Sequence, residues 1–374
     1  MKFVHVSDLH LGKRVHDFPM TEDQRYILDE IVRLSAEADA DAVFVAGDVY
    51  DRSVPSVDAV ELFDEFLTRL ADDGRAVFVI GGNHDSGERL QFGGKLMASR
   101  RAYIAGAYDG SLPCVKLSDA LGDVNVYMLP FIRPAVVNAK LGIKTSSYDE
   151  CVKAAIDAAG VSPDARNILI AHQFVTAAGV APDRSESETL SLGGVDNVDV
   201  SAFDAFDYVA LGHIHAPQRI GRDEVRYCGS PLAYSFSECR RAKSAVVGEL
   251  RGKGDVELKF IPLVPKRVLG EVRCELGELG KTLGEFPADS YMHVTLTDKE
   301  QIINAIEKVR EVYPNVMLLD FDNGMREKEL TETSERLKEK TTEELFAAFF
   351  DEQNGGPMNE RQTALLRALT EEKQ

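Results

Sequence analysis

Five short apolar runs in this sequence each end in residues able to bind a hard cation or move a proton. Phe3-Val4-His5-Val6 leads to Asp8 and His10, and Ala42-Val43-Phe44-Val45-Ala46 leads to Gly47-Asp48. Ala76-Val77-Phe78-Val79-Ile80 leads to Gly81-Gly82-Asn83-His84-Asp85. Ile168-Leu169-Ile170-Ala171 leads to His172, and Tyr208-Val209-Ala210-Leu211 leads to Gly212-His213-Ile214-His215. Carboxylate, amide and imidazole donors without thiolates disfavour a structural zinc and suit manganese, iron or magnesium, with manganese the best match to mixed ligands. A pair of divalent ions about 4 Å apart needs a bridging carboxylate. Asp48, alone after a glycine at the end of a central strand, is the natural bridge. Asp8, His10 and one histidine of the His213-x-His215 pair would complete one ion; Asn83, His172 and the other histidine would complete the second. On an extended segment those two histidines point to opposite faces, so with a turn at Gly212 they can serve different ions. Such a site activates water and neutralises charge on a phosphate in flight. His84, beside a ligand with its ring free, is the candidate general acid for the leaving oxygen. Asp85 could orient it or pair with an arginine. Taken singly, each donor has a plainer reading as a packed histidine, an N-cap or a turn carboxylate; their joint placement at strand ends favours the metal. His5, His16 and His293 have no such companions and read as structural.

The elements that must position these residues alternate between short strands and amphipathic helices. Carboxyl ends of strands are where open α/β sheets bind ligands. Thr21-Glu22-Asp23-Gln24 has a capping-box pattern and opens a helix with Ile27, Leu28, Ile31, Val32 and Leu34 on its apolar stripe. A second helix is expected from about Ser56, and a third near Glu88 to Arg100, weakened by Gly93-Gly94. Further strands are expected near 124–129, 168–171, 208–211, 225–228, 245–250 and 256–261, the later ones close enough together to be antiparallel. Residues 177–197, rich in Ser, Glu, Gly and Asp, read as a long loop beside the site. Pro262 to Pro265 forms a hinge. Beyond it, strands near 271–275, 292–297 and 316–321 and a helix at about 300–312 suggest a small α+β domain over 266–325. From residue 326 to 374 the chain turns charged, with two short amphipathic stretches around Leu345, Phe346, Phe349 and Phe350 and around Leu365, Leu366 and Leu369. Short amphipathic helices on a charged tether suit docking to a partner.

Composition sets the limits. The chain has 374 residues, is 44% hydrophobic and carries a formal charge of −19, which argues against a protein that coats nucleic acid by bulk electrostatics. Bound dications or local basic patches can still supply a positive field. The five cysteines at 114, 151, 228, 239 and 274 are scattered and unpaired in pattern, as expected of reduced thiols. No apolar run approaches a membrane span. A cleaved leader would remove Asp8 and His10, so a cytoplasmic protein with no membrane partner is expected.

In order, Asp8-Leu9-His10, Gly47-Asp48, Gly82-Asn83-His84-Asp85, Ala171-His172 and Gly212-His213-Ile214-His215 resemble the calcineurin-like metallophosphoesterase superfamily. The resemblance implies an α/β sandwich of two mixed sheets flanked by helices, with a dimetal centre at the strand ends. Within it, the chain is similar to the Mre-type double-strand-break repair nucleases and their bacterial SbcD-type branch. Val6-Ser7-Asp8-Leu9-His10-Leu11-Gly12, Ala46-Gly47-Asp48-Val49-Tyr50-Asp51, Tyr227-Cys228-Gly229-Ser230-Pro231 and Ser235-Phe236-Ser237-Glu238 carry that likeness. It implies a nuclease domain over 1–265, a DNA-capping domain over 266–325, and a linker with helices over 326–374. Through residues 341–370 those helices would dock an SbcC-like coiled-coil ABC-type ATPase.

By the same resemblance Asp8, His10, Asp48 and His215 would hold one manganese, and Asp48, Asn83, His172 and His213 the other. His84 would be the catalytic histidine. Archaeal and eukaryotic relatives often have a second catalytic histidine where this chain has Asp51, which is the second catalytic candidate beside His84. The family works as a homodimer built from helices that here carry Leu62, Phe66, Leu90, Leu96 and Met97. Arg89, Lys95, Arg100, Arg101, Arg240, Arg241 and Lys243 are candidate phosphate contacts. The expected activity is cleavage of DNA phosphodiesters, as a double-strand exonuclease and a single-strand or hairpin endonuclease in end processing, repair and recombination. One rival is a phosphoesterase for nucleotides or cyclic nucleotides, for which a capping domain and tethered tail are superfluous. Another is an inactive scaffold for the ATPase, against which the complete donor set argues.

Overall fold

Alternate residues of the first strand, β1 (Lys2–Val6), feed two different cores: Phe3 lies in one, Val4 and Val6 in another. The same period of two runs through β2 (Ala42–Val45), where Ala42 and Phe44 join Phe3 while Val43 and Val45 join Val4. The computed structural model describes residues 1–188, 196–300, 302–322, 342–354 and 356–371. Ten further strands build the sandwich: β3 (Ala76–Ile80), β4 (Ala102–Ala105), β5 (Cys114–Asp119), β6 (Gly122–Leu129), β7 (Arg166–His172), β8 (Tyr208–Gly212), β9 (Gln218–Ile220), β10 (Arg222–Tyr227), β11 (Ser244–Leu250) and β12 (Val256–Pro262). They form two six-stranded sheets, ordered β12-β11-β1-β2-β3-β4 and β9-β10-β8-β7-β6-β5. The two sheets share the core that holds Phe3, Phe44, Phe78, Val124, Ile168, Ile170 and Tyr208.

Four adjacent strands of each sheet run parallel, β1-β2-β3-β4 in the first and β10-β8-β7-β6 in the second, so the carboxyl ends within each set come out together. Antiparallel pairing is confined to one edge of the first sheet, β11 with β1 and β12 with β11, and to both edges of the second. The later strands expected to be antiparallel are so only in part: β11 and β12 pair antiparallel, whereas β6, β7, β8 and β10 run parallel. Short hairpins lie at one edge of the first sheet and both edges of the second, and parallel crossovers build the rest.

Helices close the outer faces. α1 (Thr21–Glu37) and α2 (Val57–Asp72) pack Ile27, Ile31, Leu62, Phe63 and Phe66 against Val4 and Val43. α3 (Pro134–Leu141) and α4 (Tyr148–Ala158) pack Val137, Val152 and Ile156 against Leu169 and Val209. These two helices, like β4 and β5, leave little trace in the sequence pattern; α3 is short, and the stripe of α4 is diluted by alanine. The third expected helix is instead two single turns, Gly87–Leu90 and Gly94–Met97, broken where Gly93 adopts φ +76°. The capping box at Thr21 does not form either: Met20 is the N-cap without a side-chain bond, and Gln24 is drawn elsewhere.

Beyond Pro265 come β13 (Leu269–Cys274), β14 (Tyr291–Leu296) and β15 (Val316–Phe321), in sheet order β13-β14-β15. α5 (Ala305–Val312) lies between the second and third and begins later than expected. α6 (Thr342–Asn354) and α7 (Glu360–Glu371) follow. The tether expected over 326–341 lies outside the described residues. The chain divides into two compact units: residues 1–271 with 284–293 and 313–318 make the first, and the remaining described residues the second. No helix among the described residues is long and apolar enough to cross a membrane.

Candidate metal centre

The loops that leave β1, β2, β3, β7 and β8 converge, and their backbones are unusual. Asp8, His10, Asp48 and His213 adopt φ of 53°, 43°, 48° and 102°, a left-handed region that costs non-glycine residues energy and clusters at functional sites. The loops are laced together: Asp8 N donates to Gly47 O at 3.0 Å and His10 N to Asp48 O at 3.0 Å. Asp85 neither orients His84 nor meets an arginine. Its carboxylate accepts the amides of Gly82 at 2.9 Å, Tyr50 at 2.9 Å and Val49 at 3.1 Å, joining the second and third loops. Glycine is required at two points of this lacing. A Cβ on Gly47 would lie 2.3 Å from His172 Nδ1, and one on Gly82 would lie 2.1 Å from Asp48 Oδ1.

All seven predicted ligands come together. His10 Nε2 lies 3.1 Å from His215 Nε2 and 3.7 Å from Asp48 Oδ2. The same Asp48 oxygen is 3.4 Å from His172 Nε2. Asn83 Oδ1 lies 3.0 Å from His172 Nε2 and 2.8 Å from His213 Nδ1. Asp8 accepts the His213 amide at 3.0 Å and the Ser7 hydroxyl. Candidate donor atoms gather in three overlapping groups: Asp8, His10 and His215; Asp8, Asp48 and His172; and His10, Asp48 and His84. The two histidines of the His-x-His pair do part as expected, His213 toward Asn83 and His215 toward His10.

Burial disfavours charge on all of these groups, and only pairing offsets it. His10 is held well below its ordinary value by burial, and His213 is pulled down to about 3 for the same reason. At His172 burial is outweighed by the Asp48 and Asp8 carboxylates, which push it up to about 9. Burial raises Asp8. At Asp48 the burial penalty is overcome by His172, and its carboxyl is held well below the usual range. Imidazoles, two buried carboxylates and an amide oxygen aimed at one space form a set that a hard dication satisfies.

The calcineurin-like phosphoesterase family matches residues 1–217. The type 5 capsule protein repressor C-terminal domain matches residues 265–354. Over 332 residues the chain is 32% identical to the SbcD subunit of the SbcCD nuclease of Staphylococcus epidermidis (strain ATCC 12228 / FDA PCI 1200), covering 87% of each. The chain belongs to the SbcD family of calcineurin-like phosphoesterases. It is thus a metal-dependent hydrolase of nuclease-subunit type, its candidate ligands suited to divalent ions. Among solved structures, a protein of Thermus thermophilus aligns at 13% identity and TM-score 0.41, covering 69% of this chain and 98% of its own. A dimetal phosphatase from Danio rerio aligns at 11% identity and TM-score 0.42, covering 71% and 96%.

In this SbcD-family chain the predicted catalytic pair is adjacent. His84 Nδ1 donates to the Asp51 carbonyl at 2.9 Å, and the Asp51 carboxylate pairs with Lys13 at 2.7 Å. The candidate phosphate contacts separate. Arg89, Lys95, Arg100, Arg101 and Arg240 are exposed, with Arg89 bonded to Ser53 O and Arg101 to Gly74 O. Arg241 is half-buried and bonds Arg184 O at 3.1 Å. Lys243 is corrected: it is buried and paired with Glu238 at 2.5 Å, leaving no free charge for a phosphate. Of the expected dimer residues, Leu62, Phe66 and Leu90 are ordinary core; Leu96 is exposed.

Sequence reasoning missed the residues that brace the loops. Gln24 Oε1 accepts Gly12 N at 3.0 Å while its Nε2 donates to His10 O at 2.7 Å. Tyr234 donates to Leu9 O and packs its ring against His10. Ser187, Glu188 and Glu238 surround His215. The 177–197 loop, expected beside the site, holds Ser187 and Glu188, and the Ser-Phe-Ser-Glu stretch holds Glu238; nothing in the sequence singled out these side chains.

Proposed function

We propose that this chain is a manganese-dependent DNA nuclease that cleaves phosphodiesters as a double-strand exonuclease and single-strand or hairpin endonuclease. The observation that carries the reading is the single Asp48 oxygen within 3.7 Å of His10 and 3.4 Å of His172, with one group of donors on each side. Asp8, His10, Asp48 and His215 would hold one ion, and Asp48, Asn83, His172 and His213 the second. The bound ions supply an activated water and offset the charge of the phosphate. The chain's own residues do the remainder. The Asp51 carbonyl fixes the His84 ring through Nδ1, so Nε2 is the atom that delivers a proton to the leaving oxygen. Asp51 is then a positioning residue whose carboxylate is occupied by Lys13. Although His84 is close enough to His10 and Asp48 to be grouped with them, the seven other donors already supply a full set for two ions.

Assembly is part of the proposal. Phe92 and Leu96 are 84% and 79% exposed, and Val54, Val57 and Val60, at the start of α2 and just before it, are exposed too; such apolar exposure suits a homodimer surface. On α6 and α7, Phe346, Phe349 and Leu365 are exposed, as expected of segments that dock an SbcC-like coiled-coil ATPase. A cytoplasmic role in DNA end processing, repair and recombination follows from that partnership, with the 266–325 region capping DNA. Arg89, Lys95, Arg101, Arg240 and Arg241 remain the proposed phosphate contacts.

The test is cleavage of end-labelled duplex DNA and of bis-p-nitrophenyl phosphate with manganese, comparing wild type with Asp48→Asn. Duplex cleavage that disappears in the variant supports the proposal. Turnover of the small diester with duplex left intact, even with ATPase partner and ATP, would favour a small-molecule phosphoesterase instead.

A further inference from the structure

His215 is held at three points by residues that no ligand motif includes. Its amide donates to Glu188 Oε1 at 2.8 Å, and its carbonyl accepts Lys243 Nζ at 3.0 Å. The third hold is at the ring. Ser187 Oγ lies 2.8 Å from His215 Nδ1 and 2.5 Å from Glu238 Oε1, while Glu238 itself is 3.5 Å from that nitrogen. The hydroxyl thus stands between imidazole and carboxylate.

The direction of these bonds is fixed by what surrounds Glu238. Its Oε2 receives Lys243 Nζ at 2.5 Å, and its Oε1 receives Ser235 Oγ at 3.2 Å as well as Ser187. Lys243 spends its three donors on Glu238, Ser230 Oγ and His215 O. Glu238 is therefore an acceptor on both oxygens. Ser187 has one proton and gives it to Glu238, so its oxygen accepts from His215, and His215 carries its proton on Nδ1. That leaves the Nε2 lone pair facing His10, where a ligand atom is needed. Buried ion pairs contribute little net stability, which leaves the fixing of His215 as the physical result of this one.

We propose that Ser187 is a positioning residue whose hydroxyl relays Glu238 to His215, fixes the Nδ1-protonated tautomer, and sets the affinity of the ion held with Asp8 and His10. The proposal rests on the metal-centre reading above and deepens it. It joins a Ser-rich loop to one of the two ions and leaves the other untouched. Outer-shell partners of metal-bound histidines change affinity by about 10–100-fold when lost.

The experiment is Mn²⁺ titration of the full chain by calorimetry and electron paramagnetic resonance, for wild type, Ser187→Ala and Ser187→Thr. The melting temperature is measured in chelator alongside. Wild type should bind two ions. Ser187→Ala should weaken one of them about 10–100-fold and leave the second unchanged, with the metal-free melting temperature within a degree or so of wild type. Ser187→Thr, which keeps the hydroxyl, should restore the affinity to within a few-fold. Two ions bound as tightly by Ser187→Ala as by wild type would overturn the relay alone, as would equal weakening of both ions. Wild-type protein that takes up no manganese would overturn the metal-centre reading and the relay together.

Discussion

The Nε2 atoms of His10 and His215 face each other at 3.1 Å, and both rings are closed off from solvent. Only one of the two can carry a proton there. Asp8 and Asp48 stand close by. A buried cluster of this kind is satisfied by a cation, and binding to the folded state alone adds stability. Manganese at 100 times its Kd should add about 2.7 kcal/mol for each ion, read as a higher melting temperature than in chelator. His10→Ala should lose most of that gain. Equal melting temperatures with and without manganese would contradict the account.

Gly47 faces His172 with no room for a side chain, and its φ of +87° also disfavours one. Gly47→Ala should push the His172 ring away from Asn83 and Asp48. The expected result is a loss of manganese affinity of at least about 10-fold, with about 1–3 kcal/mol of stability lost to backbone strain. Metal titration and denaturant unfolding measure the two separately. Unchanged affinity would mean that His172 does not hold an ion.

Much of this site was legible as types and order along the chain, because strands ending in Asp, Asn and His carry the ligands on short local loops. Asp8, Asp48, Asn83 and His172 each sit within three residues of a strand's end. What was not legible depends on long-range contact. Gln24 looked like part of a capping box, yet its amide serves the His10 loop. Lys243 looked like a free cation, yet it is buried against Glu238. In both cases a tertiary partner outcompeted the local pattern. The third helix failed for a local reason, since Gly93 and Gly94 broke it into single turns. α3 and α4 were missed because alanine and short length hide their stripes.

Gln24 gives a direct check of that long-range brace. Gln24→Leu keeps the size but removes the bonds to Gly12 N and His10 O, leaving part-buried backbone groups unmet. A loss of about 1–3 kcal/mol is expected, together with weaker binding of the ion at His10. Wild-type stability in denaturant would show that the brace is incidental.

On the far side of the sandwich, Arg166 forms a two-pronged pair with Asp119 at 3.0 and 2.7 Å. The guanidinium holds the Asp119 carboxyl well below the usual carboxylate range. A depressed folded-state value means that the pair stabilises the protein above the unfolded value of about 4 and that this stability is lost as pH falls below it. Between about pH 5 and 2, wild type should therefore lose stability more steeply than Asp119→Asn. Parallel melting curves for the two proteins over that window would refute the assignment.

The most direct test of the central claim joins metal uptake to chemistry at His84. Cleavage of end-labelled duplex DNA with manganese is measured for wild type and His84→Ala, with bound manganese counted on the same samples. The account predicts two ions on both proteins and a cleavage rate lower by about 10²–10⁴-fold in the variant. Loss of manganese in step with loss of cleavage would contradict it, because His84 would then be a ligand and not the proton donor.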